Sequence, residues 1–95
     1  MRDYLLAFII RPNIEAEDVT GIVDKVTQFV GAVNGEVASV DVWGRRDLAY
    51  PINNYREGTY VLLQTKMPPA SIVELERDLK LSEDIIRYLL VKVES

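Results

Sequence analysis

The chain has 95 residues, a formal net charge of −4 at pH 7, and 48% hydrophobic and 27% charged residues, a balance typical of one small globular domain. It contains no cysteine and no histidine, which excludes zinc sites of the Cys/His type, cysteine nucleophiles, Ser-His triads and imidazole general bases. The first apolar run, Leu5 to Ile10, is too short for a spanning helix and lacks a signal-peptide cleavage pattern. We therefore expect a cytoplasmic protein in which residues 1–95 form a single domain.

The first two predicted elements are a strand and a helix. Asp3 to Ile10 is an almost continuous apolar run that ends at Arg11-Pro12-Asn13, which indicates a central strand followed by a turn. Apolar residues then recur at steps of three and four, which predicts a helix with one apolar stripe. This stripe consists of Val19, Ile22, Val23, Val26, Phe29, Val30 and Val33. We expect Asn13 or a neighbour to cap the helix and Asn34-Gly35 to end it.

The second half of the chain predicts two strands, a helix and a final strand. Glu36 to Trp43 alternates between apolar and polar residues, as in a half-exposed strand closed by a glycine. The segment from Arg45 to Glu57 is rich in turn residues and predicts a long hairpin loop. Thr59 to Lys66 forms the third strand, Pro68-Pro69 starts a helix, and Ile85 to Val93 forms the fourth strand. The apolar stripe of this second helix consists of Ile72, Leu75 and Leu79.

The order β-α-β-β-α-β predicts an α+β ferredoxin-like sandwich, a four-stranded antiparallel sheet in the order 4-1-3-2 with both helices on one face. Two helices can cover only one face of the sheet, so apolar side chains on the other face suggest a surface for docking a partner. Partial cover by the chain's own loop, or self-association, is the alternative. The residues predicted on this face are Leu5, Ala7, Ile9, Tyr60, Leu62, Gln64, Tyr88 and Leu90.

Basic residues are predicted to gather at both ends of the sheet. Arginine is the cation that binds phosphate best, and a nearby tryptophan or tyrosine could stack on a base. One end receives Arg11, Arg45, Arg46, Arg56 and Arg87, and the other receives Arg2, Lys66 and Lys92. The adjacent pair Arg45-Arg46 is the stronger phosphate candidate, whereas Arg11 and Arg56 fit solvated surface charges. The predicted helices hold three basic and seven acidic residues, so the whole acidic excess lies in the helical layer.

The ten residues from Trp43 to Ile52, WGRRDLAYPI, resemble the signature loop of the bacterial small-subunit ribosomal protein six family. The similarity extends over nearly the whole chain. Its further points are Met1-Arg2, Tyr4, Pro12, Gly58, Tyr60, Met67-Pro68 and Arg87. It implies a non-enzymatic structural protein of the cytoplasmic ribosome that binds the central domain of small-subunit rRNA together with small-subunit ribosomal protein eighteen, without a cofactor or metal.

The resemblance also implies roles for individual residues. The RNA contacts that it implies are Arg2, Arg45, Arg46 and Arg87. Tyr4 and Tyr50 would support the local structure. Independently of the resemblance, the position of Trp43 and Tyr50 near the arginines makes them candidates for local support or for stacking on a base. Asp47 places an acid beside the arginine pair and could weaken a phosphate contact there.

Two alternatives of other classes remain open at this point. An acylphosphatase-like enzyme has the same order of strands and helices, and it would need Arg11 and Asn13 in the first loop to converge on an anion. A ligand-sensing homodimer would instead pair the apolar sheet face with itself.

Overall fold

The computed structural model describes residues 1–93. In chain order the elements are β1 (Arg2–Ile10), α1 (Ala16–Ala32), β2 (Glu36–Ile52), β3 (Tyr55–Met67), a 3-10 turn (Pro69–Ser71), α2 (Ile72–Leu81) and β4 (Ile85–Lys92). The strands form one antiparallel sheet in the order β2-β3-β1-β4, and both helices contribute to a core on one of its faces. The predicted ferredoxin-like sandwich and its strand order are confirmed.

The core lies between the helices and the sheet. Every second residue of β1 and β3 points toward the helices, because side chains alternate between the two faces of a strand. The core residues of these strands include Tyr4, Leu6, Phe8, Ile10, Val61 and Leu63. The helices meet them with Val19, Ile22, Val23, Val26, Val30, Leu75 and Leu79. Full burial of one such aliphatic side chain contributes about 1.5–3 kcal/mol, so the stripes that predicted the helices also hold them on the sheet.

The start of α1 differs from the prediction. Its N-cap residue is Glu15, which makes no side-chain capping bond, and Asn13 lies two residues too early to cap the helix. The first turn instead carries acidic residues, including Glu17, which interact favourably with the amino end of the helix dipole. The other end agrees with the prediction, because Asn34 adopts a φ of 67° and the Gly35 amide donates to the Val30 carbonyl oxygen at 2.9 Å.

The predicted long loop between β2 and β3 is wrong. Strand β2 continues to Ile52, β3 begins at Tyr55, and only Asn53 and Asn54 connect them, at φ values of 51° and 69°. Two asparagines with positive φ form the tight turn that suits a two-residue hairpin. Pro51 does not end β2, because β2 is an edge strand and proline is tolerated there. Residues 45–57 therefore form a long two-stranded extension, the hairpin arm.

The open face is the face of the sheet turned away from the helices. Residues directly opposite each other in adjacent strands share a face, so the pairing fixes which side chains lie there. They are Leu5, Ala7 and Ile9 of β1, Tyr60, Leu62 and Gln64 of β3, Arg87, Leu89 and Val91 of β4, and Ser39 and Asp41 of β2.

The predicted positions of Tyr88 and Leu90 on the open face are wrong. They pair with Phe8 and Leu6, so both lie on the helix face and pack against the core. The pairing of β1 with β4 shifts by one residue between Ile9 and Ile10, which leaves Ile86 as an extra residue in β4. A shift of one residue moves every later side chain of a strand to the opposite face. Leu89 and Val91 therefore take the places predicted for Tyr88 and Leu90.

Candidate functional site

Two of the predicted basic residues form salt bridges with acidic side chains of the chain itself. Arg11 Nε donates to Asp84 Oδ1 at 3.0 Å. Arg45 Nη1 donates to Glu57 Oε1 at 3.3 Å, and its Nη2 donates to the Pro12 carbonyl oxygen. Arg11 thus joins the end of β1 to the segment before β4, and Arg45 joins the hairpin arm to the turn after β1. Both guanidinium groups stabilise the fold and have part of their charge compensated.

Arg46 and Arg87 lie over aromatic rings instead. The Arg46 Cζ atom is 5.8 Å from the centre of the Trp43 ring, and the Arg87 Cζ atom is 5.9 Å from the centre of the Tyr50 ring. In residues 1–93 the three salt bridges involve neither of these arginines. A guanidinium group that stacks on a ring is held in place while its N–H groups can still donate to phosphate oxygens. The two adjacent arginines therefore have different surroundings: Arg45 is bound to Glu57 and Pro12, whereas Arg46 lies over Trp43.

Trp43 lies at the β2 side of the open face. Its indole Nε1 donates to Asp41 Oδ2 at 2.8 Å. Asp41 lies on the open face, because it is opposite Leu62, and its bond to Trp43 places the indole ring on the same face. The residue is 50% exposed. The pairing of β2 with β3 shifts between Val42 and Gly44, and Gly44 adopts a φ of 88°, so the tryptophan lies at a bulge.

The hairpin arm folds back across part of the open face. Tyr50 of the arm reaches β4, where its hydroxyl oxygen accepts a hydrogen bond from Arg87. Between the arm and the sheet is a cleft of about 300 Å³. Its lining includes Leu48, Ala49 and Ile52 of the arm and Ala7, Ile9, Tyr60 and Leu89 of the sheet. The chain thus covers part of the face itself, while Leu89 remains 62% exposed and Val91 is also exposed at the β4 side.

The remaining candidate residues lie apart from this region. Arg2 pairs with Met67 at the opposite end of β1, seven residues or roughly 23 Å along the strand from Ile9, which is opposite Arg87. Tyr4 is buried in the core and supports it. The four arginines predicted to contact RNA therefore do not form one compact patch. Sequence patterns also missed the arginine–aromatic pairs. The Arg87–Tyr50 pair depends on how the arm folds over the sheet, and the Arg46–Trp43 pair depends on the bulge in β2 between Val42 and Gly44.

The part of the chain that the structure describes does not offer the features of three other kinds of site. The anion site of an acylphosphatase-like enzyme would need Arg11, whose guanidinium group is already bound to Asp84. In residues 1–93, no cluster of three or more acidic side chains is placed to hold a metal ion. None of the helices in this range is long and apolar enough to cross a membrane.

Comparisons with known proteins agree with the fold. The family model described as ribosomal protein S6 matches residues 3–92. The small ribosomal subunit protein bS6 of Moorella thermoacetica is 49% identical over 94 residues, 99% of this chain and 96% of that protein. The bS6 protein of Heliobacterium modesticaldum is 45% identical over 92 residues, 97% of this chain and 96% of that protein.

A solved structure gives the same result. The 30S ribosomal protein S6 of Thermotoga maritima superimposes with a TM-score of 0.90 and 28% identity, covering 97% of this chain and 87% of that chain. The prediction of a structural, non-enzymatic protein of the small ribosomal subunit is confirmed. This chain belongs to the ribosomal protein S6 family.

Proposed function

We propose that this chain binds the central domain of small-subunit rRNA as a heterodimer with small-subunit ribosomal protein eighteen. The open face carries this proposal, because it combines exposed apolar side chains with two arginines stacked on aromatic rings. The names of the relatives, small ribosomal subunit proteins, support an RNA-containing particle as the place of action.

The RNA contacts are assigned mainly to Arg46 and Arg87. Arg46 lies on β2 and Arg87 on β4, at opposite edges of the sheet. Each guanidinium group that neutralises a phosphate releases condensed counterions, so binding of this kind weakens as salt rises. Arg2 is a further contact at the other end of the sheet, and Arg45 acts by holding the hairpin arm in position.

The protein partner is assigned to the apolar part of the open face on β1 and β4. Leu89 and Val91 are exposed there, next to the half-buried Leu5. Burying these side chains against a partner would stabilise the heterodimer in proportion to the apolar area removed from water. The chain has a net charge of −4, so a basic partner would also improve electrostatic complementarity with RNA.

Binding with purified components tests the proposal. The chain, small-subunit ribosomal protein eighteen and a central-domain rRNA transcript are mixed in pairs and together, and each dissociation constant is measured at several salt concentrations. We expect a protein heterodimer and a ternary complex that weakens with salt. Sizing of the chain alone at micromolar concentration should give a monomer, which separates this function from a homodimer. If the chain binds neither component at low salt, the proposal is wrong.

A further inference from the structure

We propose that Trp43 forms a stacking platform for an unpaired RNA base, with Arg46 and Asp41 holding its ring in position. This inference rests on the proposed RNA binding and adds a contact with a single-stranded nucleotide to the phosphate contacts. The platform lies at the β2 side of the open face.

The indole ring of Trp43 is fixed in place although it is exposed. The indole N–H is the only hydrogen-bond donor of the side chain, and it is already used by Asp41 at 2.8 Å. Arg46 lies over the ring, 5.8 Å from its centre. Half of the tryptophan remains exposed. A ring that is held by two neighbours can accept a stacked base with little further loss of side-chain freedom.

The surroundings of the Trp43 ring suit a nucleotide better than the apolar anchor of a protein partner. Near Trp43 the open face carries Ser39, Asp41 and Arg46, which are polar or charged. The neighbouring strand β3 adds Leu62 and Tyr60, which are half-buried and lie opposite Asp41 and Gly44. The exposed apolar residues of β4, such as Leu89, lie three strand spacings away, roughly 14 Å across the sheet. A protein partner that buried an anchor here would have to remove charged groups from water, which is unfavourable. An aromatic ring beside an arginine suits a nucleotide, because the ring stacks on the base and the guanidinium group binds a phosphate.

Trp43 is the single tryptophan of the chain, so its fluorescence can report on the site directly. The full chain is first combined with its basic partner protein, and central-domain rRNA or a short oligocytidylate is then added. A duplex RNA of similar length is the control probe. The same titrations with Trp43→Leu give the background fluorescence of the partner. We expect quenching by the rRNA and the oligocytidylate, and little quenching by the duplex.

Affinity measurements on two variants complete the test. Trp43→Leu should weaken rRNA binding by roughly 5- to 150-fold, the range found when one stacked base loses its aromatic partner. The slope of log affinity against log salt should stay unchanged, because no charge is removed. Trp43→Phe keeps an aromatic ring and should lose less affinity than Trp43→Leu. Thermal unfolding of both variants shows whether a change comes from loss of the fold.

Two results would overturn the inference. One is rRNA binding by Trp43→Leu with the affinity of the unaltered chain. The other is quenching by the partner protein alone with no further change on addition of RNA, which would place Trp43 in the protein interface. Failure of the unaltered chain to bind rRNA at all would instead reject the proposed function itself.

Discussion

Arg45 and Arg46 are adjacent in the chain, yet replacing each with alanine should have different consequences. Arg46 lies over the Trp43 ring and makes no salt bridge with a carboxylate in residues 1–93. Arg45 is bound to Glu57 and to the Pro12 carbonyl oxygen. We expect Arg46→Ala to weaken RNA binding directly, and Arg45→Ala to lower the stability of the fold.

The size of each expected effect follows from the contacts of the arginine that is replaced. Loss of one phosphate contact should reduce the slope of log affinity against log salt by about 0.7–0.9 for Arg46→Ala. The Arg45–Glu57 pair is half-exposed, with side-chain exposures of 51% and 41%, and such a pair contributes about 0.2–1 kcal/mol. With the bond to Pro12 added, Arg45→Ala should lower the free energy of unfolding by about 1–2 kcal/mol. For a domain of this size, each 1 kcal/mol corresponds to about 4–8 °C in melting temperature.

Salt titrations of rRNA binding and thermal unfolding, measured on both variants, check this difference. Arg46→Ala should melt close to the unaltered chain, because its side chain forms no bond across the hairpin arm. Arg45→Ala should melt earlier while keeping the salt slope. A reduced slope for Arg45→Ala with an unchanged slope for Arg46→Ala would refute the assignment of roles.

Two further pairs of variants test the apolar surface and the packing below it. Leu89→Asp should weaken binding of the basic partner at least about tenfold by removing an exposed apolar contact, whereas Val73→Asp, at a 79% exposed position on α2, should leave it unchanged in the same titration. Gly35→Ala should lower the free energy of unfolding by about 1–3 kcal/mol in denaturant titrations, because an added Cβ would lie 2.5 Å from Met67 Cγ. Gly31→Ala, at a helical position with no atom within 4 Å of the added Cβ, should instead raise the free energy of unfolding by up to about 1 kcal/mol. A Gly35→Ala variant more stable than Gly31→Ala would contradict the packing described for Gly35.

The sequence predicted the elements whose periodicity is strong. The apolar stripe of α1 and the continuous run of β1 both reflect burial in one core, so pattern and structure agree. The extent of the hairpin was not predictable in the same way, because Asn53-Asn54 and Pro51 fit both a loop and an edge strand with a tight turn. Only the pairing with β3 decides between these two structures.

The residues of the candidate site were even harder to predict, because their positions depend on how the strands pair. The extra residue at Ile86 exchanges the faces of the later part of β4, so Leu89 and not Tyr88 lies on the open face. The sequence of β4 is largely apolar and does not alternate regularly between apolar and polar residues, so it gives no sign of a bulge. The different surroundings of Arg45 and Arg46 were also not predictable from the sequence. The two arginines are adjacent and chemically identical, and they differ only in the residues that the folded chain brings near each of them.

The distribution of charge explains how an acidic chain can bind RNA. Acidic side chains such as Glu17, Asp18 and Asp24 are exposed on α1. Arg46 and Arg87 lie on the other layer, where they stack on Trp43 and Tyr50. A helix with its side chains is about 10–12 Å thick, so the outer carboxylates of the helical layer lie more than one Debye length, about 8 Å at physiological salt, from the open face. Their repulsion is therefore largely screened where the arginines meet phosphate. The local charge of the open face, and not the net charge of the chain, then determines the affinity for RNA.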